Sequence, residues 1–411
     1  MLTAWRDRLR SLGPGLLLAA AGIGAGDVVV ASVTGIKSGT TLLWAVAFTA
    51  ALKFVLTEAL ARWQLATGET VVRAWITRLP RWVGVYFAGY LLLWTFLVGA
   101  SLSSACGLAG ASLFPGLSVP VWGAIHAVGA AVLVGLNRYA QFQRVMKGCI
   151  AVMALCMLVC AVLARPAPAD VLGGLWPRLP ADGGGAAVLA LLGGIGGSLT
   201  VICYAYWMRA AGWSGAGKLA AVRGDVRLAY VFTGLFGMAL VIIAAGVNAH
   251  GAGGTRIALE VAARLETVAG PAGRWIFLVG FWCTVFTAML GVWQGVPQVY
   301  VDLVAAWRGV SAPADTKESR PGGIYFAALA YLALPPLVLL WFKQPVAVVV
   351  AFSIAGAFFM PFLAATLLYL NNRRDWMGPL ANRRPGNTAL IVCLLVFGVV
   401  CVREIVTVVG S

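Results

Sequence analysis

Eleven stretches of this 411-residue chain run for roughly 18 to 25 residues with almost no charge. They lie near 14–36, 41–61, 82–109, 119–136, 148–164, 186–208, 228–248, 275–297, 324–342, 346–370 and 388–409. A helix of about 20 apolar residues crosses the ~30 Å hydrocarbon layer of a bilayer, where every backbone polar group must be satisfied within the protein. Composition agrees: 61% hydrophobic and 11% charged leaves too little polar surface to wrap a soluble globule, in which about a quarter of residues are charged. The expected class is an all-α polytopic membrane protein with eleven spans.

A net charge of +16 raises the question of a nucleic-acid partner. The basic residues alternate from loop to loop instead of forming one stripe, so no nucleic acid is expected. Along the eleven-span arrangement, 21 Lys and Arg fall on the side of the N-terminus (Arg6, Arg8, Arg10, Arg138, Arg144, Arg373 and Arg374 among them) and 8 on the other. The positive-inside rule then places the N-terminus in the cytoplasm and Ser411 outside, in a plasma (cytoplasmic) membrane. Residues 1–12, Met1 to Leu12, read as a short cytoplasmic tail. Trp5, Trp82, Trp176 and Trp376 stand near span ends as interfacial anchors. The eight cysteines (106, 149, 156, 160, 203, 283, 393 and 401) lack metal-knuckle spacing and read as small hydrophobes.

Two of the apolar runs are interrupted by glycine in matching positions, Gly-Ile-Gly-Ala-Gly-Asp at 22–27 and Gly-Ile-Gly-Gly-Ser at 194–198. Unwound backbone at membrane depth is tolerated where it lines a polar cavity or is buried in protein, and paired interrupted helices mark the binding sites of secondary transporters. Loops are short; the polar stretches near 165–185, 249–272 and 308–322 carry no separate domain. The whole chain, 1–411, therefore reads as a single transmembrane domain: a five-helix repeat over 13–164, a second over 186–370 inverted because five is odd, and an eleventh helix at 388–409. No nucleotide-binding glycine loop, nucleophile–base constellation or histidine cluster is present, so neither an enzyme nor an ATP-driven pump is expected, and no cofactor. The chain is expected to act as a monomer, with the lipid bilayer and a transported cation or small solute as its partners.

Around the breaks the chain resembles the natural resistance-associated macrophage protein (Nramp) family of divalent-metal transporters. The likeness runs from Gly13-Pro14-Gly15 through Thr41-Leu42-Leu43-Trp44, Ala61-Arg62, Thr67-Gly68 and Phe142-Gln143-Arg144-Val145 to Met360-Pro361-Phe362, Met377-Gly378 and Asn382. The resemblance implies a LeuT-like inverted 5+5 repeat plus an eleventh transmembrane helix, working as a secondary transporter. The ligand positions depart from the family pattern. Where the family has Asp-Pro-Gly-Asn, this chain has Gly24, Ala25, Gly26 and Asp27. The metal-binding Met of the sixth span aligns with Val201, the following His with Cys203, a second His with Met208, and the Gln of span 10 with Ser353. The acidic residues that the family uses for proton movement in span 3 have no counterpart, since no Asp or Glu lies between Glu69 and Asp170.

A thioether selects softer metals, because sulfur binds hard cations poorly. With Val201 in its place, Asp27, backbone carbonyls around Gly22 and Gly24, Ser198, and the hydroxyls of Thr200 or Ser353 would form an all-oxygen site for a hard cation such as magnesium. Cys203 restores sulfur only if the break relaxes by two residues. Asp27 is the metal-ligand candidate, although as a residue opening a half-helix it could simply cap freed N–H groups; the cost of an intramembrane carboxylate favours function.

Lys53 and Glu58 lie five apart in span 2, about 140° around the helix from one another, and are not an internal pair. Lys53 reads either as a resident cation near Asp27 or as a side chain that snorkels or pairs elsewhere. Glu58 is the remaining candidate for proton exchange, against a plain pair with Arg62. His126 reads as a bonded core residue or a proton shuttle. Tyr204, Tyr206, Trp207, Trp293 and Gln294 read as packing or, facing a cavity, as a cation–π cradle for an organic ammonium. Two substrate readings stand at this point: a hard divalent metal ion, or a small organic cation or amino acid on the same scaffold. A receptor that binds without flux is a third class.

Overall fold

The computed structural model of the chain describes residues 13–136, 139–179, 185–247, 256–310, 322–341 and 345–409, without the side chains of 139–140, 186, 345–354, 357, 404 and 407–409. Helix occupies all eleven apolar runs. The first run holds α1 (Pro14–Gly22) and α2 (Ala25–Ser38), bent by 59° at the first glycine break. Then come α3 (Leu43–Thr67), the short α4 (Val71–Thr77), α5 (Arg81–Leu113), α6 (Val119–Gly135), α7 (Tyr139–Leu163) and the short α8 (Pro168–Gly174). The sixth run is again split, into α9 (Gly185–Gly194) and α10 (Thr200–Ala210). The rest comprises α11 (Leu219–Ala244), α12 (Ile257–Trp307), α13 (Gly323–Ala333), the short α14 (Val338–Trp341), α15 (Pro345–Asn372), the short α16 (Arg374–Met377) and α17 (Arg384–Val409). Among the described residues no extended strand forms beyond one isolated bridge, Pro115 to Leu117.

The polar stretch 249–272 differs from its reading as loop. Its residues from Ile257 onward are helix, and α12 is kinked at Gly270, whose φ of 68° breaks the helix ahead of Pro271. The loop reading failed because Glu260, Arg264 and Glu266 lower the hydropathy, while the apolar positions Ile257, Val261, Ala262 and Leu265 still bury one helical face. The 165–185 stretch likewise contains α8. The ninth span is bent where Pro335 and Pro336 withdraw backbone donors and tighten one turn into a 3-10 helix.

Large side chains sort by environment. Leu92, Leu155, Val162, Leu235 and Leu395 are exposed, as lipid-facing residues are, whereas Trp63, Trp75, Trp94, Trp207 and Trp293 are buried. Trp82 and Trp176 are exposed near helix ends, and Trp376 lies under the guanidinium groups of Arg78 and Arg373. Trp5 lies outside the described residues. The eleventh helix, α17, packs on α15 and α3, while α12 runs through the centre against α1, α5 and α7.

Close backbone approach fixes where α1 starts. A Cβ at Gly15 would lie 2.6 Å from the Asp225 carbonyl oxygen and 2.7 Å from its carboxyl, so α1 and α11 meet through a residue without a side chain. Gly15→Ala is expected to cost about 1–3 kcal/mol by overpacking, read as a lower melting temperature in detergent. An unchanged melting temperature would show that this contact is loose.

Candidate functional site

Both breaks leave helix termini with unsatisfied backbone groups. One carboxylate serves the two. Asp27, in the first turn of α2 and 4% exposed, accepts from the Gly24 N–H at 2.9 Å on Oδ2 and from the Gly196 N–H at 2.6 Å on Oδ1. Asp27 thus caps its own half-helix and ties it to the unwound segment of the sixth span, 169 residues away. Gly196 and Gly197 have φ of 81° and 73°, a left-handed pair that glycine alone adopts without strain.

Lys53, on α3 and fully buried, reaches the same segment from the other side. Its Nζ donates to the Gly197 carbonyl at 2.5 Å, and its stem packs at Gly196 beside Tyr230 and Thr233. Consecutive residues of the second break are therefore held by opposite charges: an anion on one N–H, a cation on the next carbonyl. Lys53 forms no direct ion pair with a carboxylate among the described residues.

A cavity of about 50 Å³ is lined by both breaks, α5 and α12, and Lys53 is not among its lining residues. Its size suits a few water molecules or a partly hydrated ion. Asp27, Gly22, Gly24, Ser198 and Thr200 line it, as the sequence suggested, together with Ser101 and Trp94 of α5. The hydroxyls of Ser101 and Thr200 are buried without a protein partner, whereas Ser198 Oγ accepts from Trp94 Nε1 at 3.0 Å. Gly22 ends α1, and Gly193 and Gly194 end α9, so carbonyl ends of two half-helices border the same space as the N-terminal turns of α2 and α10, whose positive dipole ends Asp27 offsets. Among the described residues no sulfur or imidazole lines it.

The other singled-out residues lie elsewhere. Val201 is buried but does not line the cavity; Thr200 does. Cys203 packs against Gly295 of α12. Tyr204 donates to Asp225 Oδ2 at 2.9 Å and Trp293 to the Ala127 carbonyl at 3.1 Å, while Gln294 accepts from Trp207 at 2.5 Å. The side chain of Ser353 is outside the described residues, although Gly356, one turn on, lines the cavity. Glu58 is held by Arg62 at 3.3 Å and Arg223 at 2.8 Å, the paired arrangement. His126 accepts from Trp282 at 2.9 Å and sits 2.7 Å from the Trp122 carbonyl, a bonded core residue.

Two buried carboxylates escaped sequence reasoning. Asp225 on α11 takes Tyr204, and Asp302 on α12 takes both Tyr206, at 3.1 Å, and Thr70. Tyr204 and Tyr206 stand two apart on α10 and point to opposite neighbours, anchoring that half-helix to α11 and α12. Both acids lie just beyond the apolar runs, where hydropathy reads loop although the helices continue inside the protein. Ser101 carried no signal beyond being a serine in an apolar span.

Comparison with known proteins bears on the same scaffold. Over 406 residues the chain is 26% identical to the divalent metal cation transporter MntH of Deinococcus radiodurans, covering 92% of this chain and 85% of that one. It is 26% identical to the rice (Oryza sativa subsp. japonica) metal transporter Nramp5 over 199 residues, a match that spans 36% of the rice protein. The structure superposes on the Eremococcus coleocola manganese transporter with a TM-score of 0.79 at 16% identity, over 99% of this chain and 89% of the other. It also superposes on MhsT in complex with L-phenylalanine with a TM-score of 0.61 at 13% identity, over 95% and 97% of the two chains. These superpositions place the two broken spans in a LeuT-like fold. With a match to the family model "Natural resistance-associated macrophage protein-like" over residues 15–407, this integral membrane protein belongs to the Nramp family.

Proposed function

We propose that the chain carries a divalent metal ion across the plasma membrane by alternating access, as a monomer with its N-terminus in the cytoplasm, and that its preferred substrate is a hard ion such as magnesium. The carrying observation is the donor set. One carboxylate, three hydroxyls and the carbonyl ends of α1 and α9 border a cavity of about 50 Å³, and among the described residues no soft ligand joins them. Oxygen-only coordination suits magnesium, which keeps several of its own waters, and backbone carbonyls at half-helix ends are a known means of holding cations in such folds.

The organic-solute reading draws less support. Pockets for organic ligands run to roughly 300 Å³ or more, and Tyr204 and Trp293 are engaged with Asp225 and the Ala127 carbonyl. The test is ion flux into liposomes containing the purified protein, with magnesium uptake expected to exceed manganese uptake. Transport of neither ion, together with undetectable binding of both by calorimetry, would overturn the proposal.

Selectivity gives a sharper check. Because Thr200 borders the cavity and Val201 does not, Thr200→Met is expected to bring a thioether to the ion and move preference toward manganese. Val201→Met should overpack the core without changing preference. Competition of manganese against magnesium in the flux assay reads both; the opposite order would mean that Val201 faces the ion during transport.

A further inference from the structure

A second and larger cavity lies outside the ion site. It is a groove of about 350 Å³ between α3 and α11, open toward the lipid-facing surface, where Ala47, Ala51, Val231 and Leu235 are exposed. Its floor is made of small residues, Ala50 against Gly234, and its walls of Phe54 and Met238. Arg227 stands at one end. Among the described residues no carboxylate pairs with Arg227, whereas Arg223, one turn earlier, is engaged by Glu58.

From Arg227 to Met238 along α11 is about 16 Å at the helical rise of ~1.5 Å per residue, half of a ~30 Å hydrocarbon layer. The groove therefore has the reach of one leaflet, with an unpaired cation at the end that the distribution of basic residues assigns to the cytoplasm. Basic positions between spans on that face attract acidic headgroups. We infer that this groove binds an acidic phospholipid, its phosphate on Arg227 and one acyl chain laid between α3 and α11.

The site is adjacent to the ion-site machinery. Tyr230 lines the groove, shares a hydrogen bond with Thr57 at 2.8 Å, and lies beside Gly196 of the second break. A bound lipid would press on the side chain that backs the unwound segment.

Delipidated protein in detergent, titrated with phosphatidylglycerol or phosphatidylcholine and followed by native mass spectrometry, tests the assignment. Phosphatidylglycerol is expected to bind about five-fold more tightly, the scale of one basic residue at a membrane surface. Arg227→Gln should erase that preference, and Ala51→Phe should weaken both lipids by filling the groove. Both changed residues are exposed, so neither variant threatens the fold. Equal binding of the two lipids by the unaltered chain would overturn the inference, as would a preference that survives Arg227→Gln. A dimer of the chain sealing this face against lipid would overturn it too.

Discussion

Asp27→Ala is expected to abolish magnesium-dependent stabilisation and flux, and to lower the melting temperature even without metal. The second effect follows from the bonding. Removing the carboxylate leaves the buried N–H groups of Gly24 and Gly196 without an acceptor, and each such orphan costs about 1–3 kcal/mol. Asp27→Asn keeps one acceptor oxygen but turns an amide donor toward the other N–H, so its melting temperature should fall between the two while flux stays lost. Thermal unfolding in detergent, with and without magnesium, separates the structural from the ligand contribution. A variant Asp27→Ala that melts normally and still responds to magnesium would remove the carboxylate from the site.

Lys53→Met is expected to act in opposite directions on stability and affinity. The Gly197 carbonyl loses its charged donor, so the metal-free protein should melt earlier. Yet an ammonium repels a divalent ion, by about 3 kcal/mol if the two are about 10 Å apart at an effective dielectric constant of 20. Removing that charge should therefore lower the magnesium Kd at least tenfold. Tight binding without the means of release should also slow turnover, seen as reduced flux at saturating magnesium. Weaker magnesium binding in Lys53→Met, read by calorimetry, would instead make Lys53 a positioning residue that aims the break toward the ion.

Much of this architecture is legible in the chain, because bilayer thickness and backbone satisfaction leave few alternatives: eleven apolar runs became helix, and both glycine clusters became breaks. The site was legible only in part. Asp27, Gly22, Gly24, Ser198 and Thr200 could be named because they lie within or beside the breaks. Of the adjacent pair Thr200 and Val201, both named from the sequence, only Thr200 borders the cavity, because counting residues through an unwound segment does not conserve which side chain faces it. The partner of Lys53 is a carbonyl, common to every residue, so no residue type betrays it. Ser101 and Trp94 arrive from α5, a continuous helix whose rotation about its axis no local pattern specifies.

The two tyrosines of α10 have a mechanical consequence. Through Asp225 and Asp302 they bolt the second half of the sixth span to α11 and α12, while its first half, α9, rests on α2, α3, α15 and α17. If the chain rocks as proposed, the segment between them, 195–199, is where the two halves of the span would pivot. The same five residues include Gly196 and Gly197, the neighbours held by Asp27 and Lys53. In a rocking cycle of the proposed kind, filling the ion site would set the stiffness of the hinge directly, with no relay needed between cargo and gate.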